Sequence, residues 1–157
     1  MRCRFKVNYD GAIFQNSFDA GLGVVIRDHT GQAIAALSQK IKYPHSVEAT
    51  EGLAARRAVQ FVVDLGLSEA EFEGDSTTIT EALSSGSYNQ AVFGSIIEDA
   101  RSLARRMHCH FFSHVKHSGN VVAHTLARRA QFCSIPVIRM GNVPADLESL
   151  LLQDSSS

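Results

Sequence analysis

Residues 5–11 read Phe5-Lys6-Val7-Asn8-Tyr9-Asp10-Gly11, and their apolar and polar side chains alternate as they do along a β-strand. We expect a strand at Arg4–Tyr9 that closes with Asp10. A second run of this kind, Ala70-Glu71-Phe72-Glu73-Gly74, closes with Asp75. Taken alone, Asp10 is typical of a turn and Asp75 of a helix N-cap, so neither acid by itself indicates a functional site.

A third acid, Glu51, changes that interpretation. The segment from Val47 to Leu65 predicts a helix, and Glu51 falls near the middle of its apolar face, which comprises Ala54, Ala55, Ala58, Phe61, Val62 and Leu65. A helix that packs this face on a sheet turns the Glu51 carboxylate inward. Buried carboxylates are rare unless they are paired, protonated or bound to a metal. Together the acids therefore predict a site for hard divalent cations, which prefer oxygen ligands.

The predicted elements follow the order β-β-β-α-β-α-α-β-α. They are strands at Arg4–Tyr9, Ala20–Arg27 and Gln32–Lys42, a helix at Val47–Leu65, a strand at Ala70–Glu73, a short helix to Leu83, a long helix at Ala91–Met107, a strand at His108–Lys116 and a helix at Asn120–Ala130. This order predicts an α/β fold with a five-stranded mixed sheet, in which three antiparallel strands precede β-α-β units and helices flank the sheet. Gly21 and Gly23 in the second strand indicate a close backbone approach or a bulge. A right-handed crossover returns the fourth strand parallel beside the first, which brings Asp10 close to Asp75.

The composition indicates one domain with a substantial core. The chain has 157 residues, and 45% of them are hydrophobic. We expect a domain at residues 1–135 and a C-terminal tail at residues 136–157 that holds a short helical piece, Pro144–Leu152. We see no apolar run of membrane-spanning length and no signal peptide, so we expect an intracellular protein of the nucleus or cytoplasm, not a secreted one. The net charge of −1 argues against strong, sequence-independent binding to nucleic acid.

An ordered set of motifs extends from about residue 5 to residue 130. The motifs are Asn8-Tyr9-Asp10-Gly11-Ala12, Gly21-Leu22-Gly23-Val24-Val25-Ile26-Arg27-Asp28, Thr50-Glu51-Gly52-Leu53-Ala54-Ala55-Arg56, Glu73-Gly74-Asp75-Ser76 and Gly119-Asn120-Val121-Val122-Ala123-His124. In this order they resemble type 1 ribonuclease H domains and, more narrowly, the reverse-transcriptase-like ribonuclease H domains common in plants. No single motif is specific, whereas the ordered set is.

The resemblance implies a metal-dependent endonuclease that hydrolyses the RNA strand of RNA/DNA hybrids, either as a free-standing protein or as part of a retroelement polyprotein. It implies a two-metal site for Mg²⁺ or Mn²⁺, with Asp10, Glu51 and Asp75 as the metal ligands and His124 as a further catalytic residue. The candidates for substrate contacts are Gly11, Asn16, Ser76, His117 and Asn120. We expect a monomer that uses no small organic cofactor and binds no membrane.

One departure from the family pattern leaves a second function open. His124 stands where type 1 ribonucleases H usually have a fourth acid, although the plant-type domains often have histidine there. The alternative is a catalytically weakened RNase H-like module that binds nucleic acid or a protein partner. A further alternative on the same fold is a DNA-directed nuclease or integrase-like protein. A zinc site that combines His108, His110 and His114 with Cys109 is disfavoured, because Cys109 falls on the opposite face of its strand.

Overall fold

A six-stranded mixed sheet forms the centre of the molecule. The computed structural model describes residues 4–86 and 93–155. The strands are β1 at Phe5–Phe14, β2 at Asp19–Arg27, β3 at Ala33–Lys42, β4 at Glu69–Gly74, β5 at Cys109–His114 and β6 at Val137–Met140. Their order across the sheet is β5-β4-β1-β2-β3-β6, so β1, which carries Asp10, lies in the interior of the sheet.

The described part of the chain also contains five α-helices, which are α1 at Val47–Asp64, α2 at Thr77–Ser85, α3 at Gly94–Ala104, α4 at Val121–Arg129 and α5 at Glu148–Ser155. Ser46 caps α1, because its hydroxyl oxygen accepts a hydrogen bond from the Ala49 amide at 3.0 Å. Ser76 caps α2 in the same way, with the Ile79 amide as donor at 3.3 Å. Both helices therefore begin at a serine that lies close in sequence to an acid of the predicted site.

The strand pairing agrees with the predicted topology. β1, β2 and β3 are antiparallel neighbours, and β4 lies parallel to β1 with Asn8 opposite Glu73. β4 ends at Gly74, so Asp75 is the first residue beyond it. Because β1 continues past the end of β4, the Asp10 side chain lies at the open end of the shorter strand, next to Asp75.

Three apolar clusters cover the sheet, and the smallest of them consists of Ala12, Phe14, Ala127 and Ala130. The first joins β1, β2, β3 and β4 to α1, α2 and α3, and its members include Val7, Tyr9, Phe61, Phe72, Ile79 and Ile97. The second joins β2 and β3 to α4, α5 and the segment before α5, through Val25, Ala36, Val122, Leu126, Val143, Leu147 and Leu151. Successive strand residues point to opposite faces, so these two sets use opposite sides of the sheet.

The predicted close approach at Gly21 and Gly23 is confirmed. A Cβ atom on Gly21 would lie 2.0 Å from the Ala127 carbonyl oxygen, and one on Gly23 would lie 2.2 Å from that of Ala123. No real Cβ makes such contacts, so α4 packs directly on the backbone of β2. This packing holds the helix that carries His124 against the sheet.

Several predicted boundaries were wrong. β1 does not end at Tyr9 but continues to Phe14, because β2 pairs with it along its whole length from Lys6 to Phe14. β5 spans Cys109–His114 and is shorter than predicted at both ends. The long helix ends at Ala104 rather than Met107, because turn hydrogen bonds replace the helical pattern after that residue. Its predicted start at Ala91 lies outside the described residues.

The segment predicted as a tail supplies the sixth strand. β6 pairs antiparallel with β3, with Leu37 opposite Ile138, and thereby extends the predicted five-stranded sheet by one strand. The run was overlooked because it is only four residues long and follows a proline. The division of the chain at residue 135 stays a prediction. Among the described residues, none of the helices has the length and apolar character needed to cross a bilayer.

Candidate active site

Asp10 is buried in the middle of β1, with 3% of its surface exposed. It pairs with Gly23 of β2 across the sheet. The preceding residues Val7 and Tyr9 point into the core with α1, so Asn8 and Asp10 point to the side of α4. The alternation that indicated a strand therefore also directs this carboxylate toward the helix that carries His124.

Glu51 reaches Asp10 because α1 crosses close to β1. A Cβ atom on Gly11 would lie 2.8 Å from Thr50 Cγ2 and 3.3 Å from the Thr50 carbonyl carbon, so only glycine permits this approach without a shift. The Gly11 amide donates to Glu51 Oε1 at 3.4 Å. The close contact between α1 and β1 thus brings the carboxylate from the helix face to the sheet.

The structure brings the carboxylates of Asp10, Glu51 and Asp75 together, with one oxygen from each lying within 4.8 Å of the others. Burial, followed by repulsion from Asp10 and Asp75, raises the pKa of Glu51 to about 9. Glu51 Oε2 is buried and has no hydrogen-bond partner. A buried oxygen without a donor, beside two acids that disfavour the charge of Glu51, fits a divalent cation as the missing partner.

Two histidines contact this cluster from the side of α4. Nδ1 of His124 lies 2.8 Å from Asp10 Oδ2, and Nδ1 of His117 lies 2.9 Å from Asp75 Oδ2. Their rings meet edge to face with centroids 5.0 Å apart. The hydrogen bond to Asp10 raises the pKa of His124, although partial burial opposes the rise. His124 therefore contacts a carboxylate of the cluster through Nδ1, and His117 does the same from a more exposed position.

A buried polar network supports the site, and sequence reasoning missed most of it. Arg27 Nη2 donates to Asn8 Oδ1 at 2.7 Å, and Asn8 Nδ2 donates to Asn120 Oδ1 at 3.0 Å. Asn120 Nδ2 donates to the Tyr9 carbonyl oxygen at 3.0 Å. The spacing of Asn8 and Asp10 could have indicated that Asn8 belongs to this network, since residues two apart on a strand share a face.

The candidates for substrate contacts occupy different environments. Asn16 is exposed in the turn after β1, and Ser76 is half-buried at the start of α2. The amide of Gly11 is already hydrogen-bonded to Glu51. His117 is exposed and contacts Asp75. The side chain of Asn120 is fully buried and hydrogen-bonded to Asn8 and to the Tyr9 carbonyl oxygen, and its contact with substrate stays a prediction.

The zinc alternative finds no support in residues 4–86 and 93–155. Within these ranges, Asp10, Glu51 and Asp75 make up the one group of three or more potential metal ligands that lie close together. The histidines of β5 and Cys109 form no such group. The structure therefore offers an oxygen-rich site and not a nitrogen and sulfur site.

The model of the reverse transcriptase-like family matches residues 8–130, which include both aspartates, Glu51 and His124. The chain belongs to this family. No curated protein matches this reverse transcriptase-like domain in a sequence search.

Solved structures similar to the reverse transcriptase-like domain are ribonucleases H. RNase H1 of the halophilic archaeon Halobacterium salinarum is 25% identical, with a TM-score of 0.75 over 82% of this chain and 98% of that chain. The N-terminal RNase H domain of a Mycobacterium tuberculosis protein is 22% identical, with a TM-score of 0.72 over 83% and 94%. LC11-RNase H1 from compost, solved in complex with an RNA/DNA hybrid, is 22% identical, with a TM-score of 0.71 over 80% and 95%. The predicted RNase H-like fold is confirmed, with six strands rather than five.

Proposed function

We propose that the protein is a metal-dependent endonuclease that hydrolyses the RNA strand of RNA/DNA hybrids. The observation that carries the proposal is the meeting of Asp10, Glu51 and Asp75, with the buried Glu51 Oε2 left without a donor. The family match and the similarity to a ribonuclease H solved with a hybrid support the same substrate class.

We propose that Asp10, Glu51 and Asp75 hold Mg²⁺ or Mn²⁺ at a two-metal site. When bound, such ions activate the attacking water and stabilise the leaving oxygen of an in-line displacement. The chain's own part is to hold the ligands in place. Glu51 must give up a proton to act as a ligand, because its pKa is raised to about 9 in the absence of a cation. His124 orients the Asp10 carboxylate through Nδ1.

Selection of an RNA strand requires groups that contact the 2′-hydroxyl, because that group distinguishes RNA from DNA locally. Asn16 and Ser76 are polar side chains with exposed or half-buried surface, and we propose them for sugar and phosphate contacts. His117 is 65% exposed beside Asp75, and we propose that it contacts the same backbone. Outside the acid cluster, Arg101 and Arg105 line a cleft of about 230 Å³ between α2, α3 and β5. We propose that this cleft binds phosphates of the substrate.

A panel of labelled substrates tests the proposal. The purified protein would be incubated with an RNA/DNA hybrid, duplex DNA and duplex RNA in Mg²⁺, Mn²⁺ or EDTA. We expect cleavage of the RNA strand of the hybrid alone, and only with a cation. Cleavage of duplex DNA would favour a DNA-directed nuclease, and cleavage in EDTA would contradict metal dependence.

A second candidate function is a catalytically weakened module that binds nucleic acid or a protein partner. The observation that favours it is the position of His124, which contacts Asp10 where the family usually has a fourth acid. Binding of the hybrid without turnover in either cation would support this alternative. We further propose a monomer without an organic cofactor that acts in the nucleus or cytoplasm. We also propose that the protein derives from a retroelement.

A further inference from the structure

Helix α4 begins without a cap of its own. Its N-cap residue, Asn120, makes no side-chain hydrogen bond to the first turn, because its amide group is engaged with Asn8 and with the Tyr9 carbonyl oxygen. The first amides of a helix have no partner within the helix and need one from elsewhere when they are buried. The start of the helix that carries His124 therefore depends on another part of the chain.

Asp154 of α5 supplies acceptors for the first two of these amides. Asp154 Oδ1 accepts from the Val121 amide at 3.0 Å, and Oδ2 accepts from the Val122 amide at 3.0 Å. Asp154 is 5% exposed, so these bonds are shielded from water. A carboxylate at a helix N-terminus is also favoured by the helix dipole, and hydrogen bonds to a charged acceptor are stronger than neutral ones.

Apolar packing holds α5 in this place. Leu147 and Leu151 are buried in one core with Val122 and Leu126 of α4. α5 also contacts the 3₁₀ turn His117–Gly119, which carries the histidine that contacts Asp75. All of α5 lies beyond residue 130, where the family match ends. The capping acid is therefore a feature of this chain outside the region that defines the family.

We propose that Asp154 is a positioning residue of the active site. By capping α4 it holds His124 at hydrogen-bond distance from Asp10, which is 2.8 Å in the structure. The cap acts on His124 directly, because His124 lies in the first turn of α4, just after the capped amides. Its own amide donates to the Asn120 carbonyl oxygen. The role in catalysis rests on the proposed function, whereas the positioning of α4 does not.

The kinetic test compares Asp154→Asn with Glu148→Gln, which removes an exposed acid from the same helix. Both would be assayed on the hybrid below their unfolding temperatures. We expect kcat of Asp154→Asn to fall about tenfold, as for the loss of partners that orient a site ligand, with KM unchanged within about twofold. Glu148→Gln should match the parent protein. If Asp154→Asn does not fold, Asp154→Glu, which keeps the charge on a longer stem, takes its place.

A double-mutant cycle separates positioning from a general structural effect. In a His124→Ala background, Asp154→Asn should no longer lower kcat, because the group that it positions is gone. The same fold-change in both backgrounds, or identical kinetics for Asp154→Asn and Glu148→Gln, would overturn the proposal.

Nuclear magnetic resonance on the cation-free protein tests the positioning without any activity. In Asp154→Asn we expect faster hydrogen exchange at the amides of Val121 and Val122 and shifted ring resonances of His124, with neither change in Glu148→Gln. If the parent protein cleaves no hybrid but these changes occur, the proposed function fails and the positioning of α4 stands. Unchanged exchange and resonances in Asp154→Asn would overturn the positioning, whatever the activity.

Discussion

Among the single residues, Glu51 makes the stability of the folded protein depend on pH. Its carboxylate is buried between two other acids, and its pKa is raised to about 9 from an ordinary value of 4.5. The folded chain therefore binds the Glu51 proton more tightly than the unfolded chain does. The resulting contribution to stability is fully present below about pH 4.5 and is lost as the pH rises through about 9.

The substitution Glu51→Gln should remove that pH dependence. Glutamine resembles the protonated acid, so in EDTA the variant should gain stability over the parent protein as the pH rises. The difference in the free energy of unfolding should grow by up to about 1.4 kcal/mol for each pH unit between the two pKa values. Urea denaturation of both proteins from pH 5 to pH 9 measures it. A difference that stays constant with pH would show that Glu51 is ionised in the folded protein.

Asp10→Asn and Asp75→Asn should each abolish hydrolysis while preserving or raising the thermal stability of the cation-free protein. Each removes one of several carboxylates that repel one another, and asparagine can still hydrogen-bond to the neighbouring histidine. Cleavage assays and thermal melts in EDTA check both outcomes. Asp99→Asn is the control, because it removes an exposed acid paired with Arg56 and should change stability by less than about 1 kcal/mol. Near-normal cleavage by either site variant would mean that the site is misplaced.

If the protein hydrolyses hybrids as proposed, His124 should make its activity stronger with Mn²⁺ than with Mg²⁺. Mg²⁺ demands oxygen ligands in octahedral geometry, whereas Mn²⁺ lies closer to the metals that imidazole suits. Because Asp10 raises the pKa of His124 above 6.5, activity should already decline as the pH falls toward that value if the neutral ring is required. His124→Asp should shift the preference toward Mg²⁺ and reduce the loss in acid. Cleavage rates of the parent protein and of His124→Asp, measured with each metal across pH, test this prediction. The same metal preference in the two proteins would mean that His124 does not contact the metal.

At the scale of elements, the site depends on close contacts between helices and strands. Gly11 lets α1 approach β1, and Gly23 lets α4 approach β2. Each contact holds a helix whose functional side chain, Glu51 or His124, must reach Asp10. The elements are therefore positioned by the absence of side chains at these glycines as much as by apolar burial.

Gly23→Ala should destabilise the protein and displace α4. The added Cβ would lie 2.2 Å from the Ala123 carbonyl oxygen and 2.4 Å from the Ala127 amide nitrogen, and neither backbone atom can move alone. We expect a loss of about 1–3 kcal/mol, as for other overpacked cores, with a fall in activity. Gly52→Ala is the matched control, because the nearest atoms to its Cβ would be side-chain atoms, Ile96 Cγ2 at 3.2 Å and Ile79 Cδ1 at 3.9 Å, and no backbone atom outside its own helix would lie within 3 Å. Equal unfolding free energies for the two variants would contradict this account.

At the scale of the whole molecule, the charge balance limits how strongly the protein can hold nucleic acid. The chain has 16 acidic and 15 basic residues, and several basic ones are already engaged within the protein. Arg27 is buried with Asn8, Arg56 pairs with Asp99, and Arg129 pairs with Asp146. The chain therefore has no excess of positive charge with which to neutralise phosphates.

Binding of the hybrid should therefore be weak and confined to low salt. The affinity of Asp10→Asn, which we expect not to cleave the hybrid, would be measured by fluorescence anisotropy over a series of salt concentrations. We expect a shallow slope in the plot of log affinity against log salt, because few counterions are released. A slope of about ten would indicate an extensive basic surface and would contradict the expectation.

Local patterns in the sequence were enough to predict the order of the elements and to identify the acids. Strand and helix periodicities are local, so the alternation around Val7 and Tyr9 and the apolar arc around Glu51 were sufficient to predict β1, α1 and the inward carboxylate. Gly21 and Gly23 indicated the close approach of another element, although not which one. The parallel return of β4 followed from the chain topology.

The positions of the polar partners depend on how the helices and strands pack together. The continuation of β1 past Asp10 required β2 as its partner, and β6 exists because the edge of β3 was open to it. The contacts of His124 with Asp10 and of Asp154 with the start of α4 join residues far apart in the chain. Local periodicity carries no information about such pairs, because their geometry is set only when helices and strands have packed.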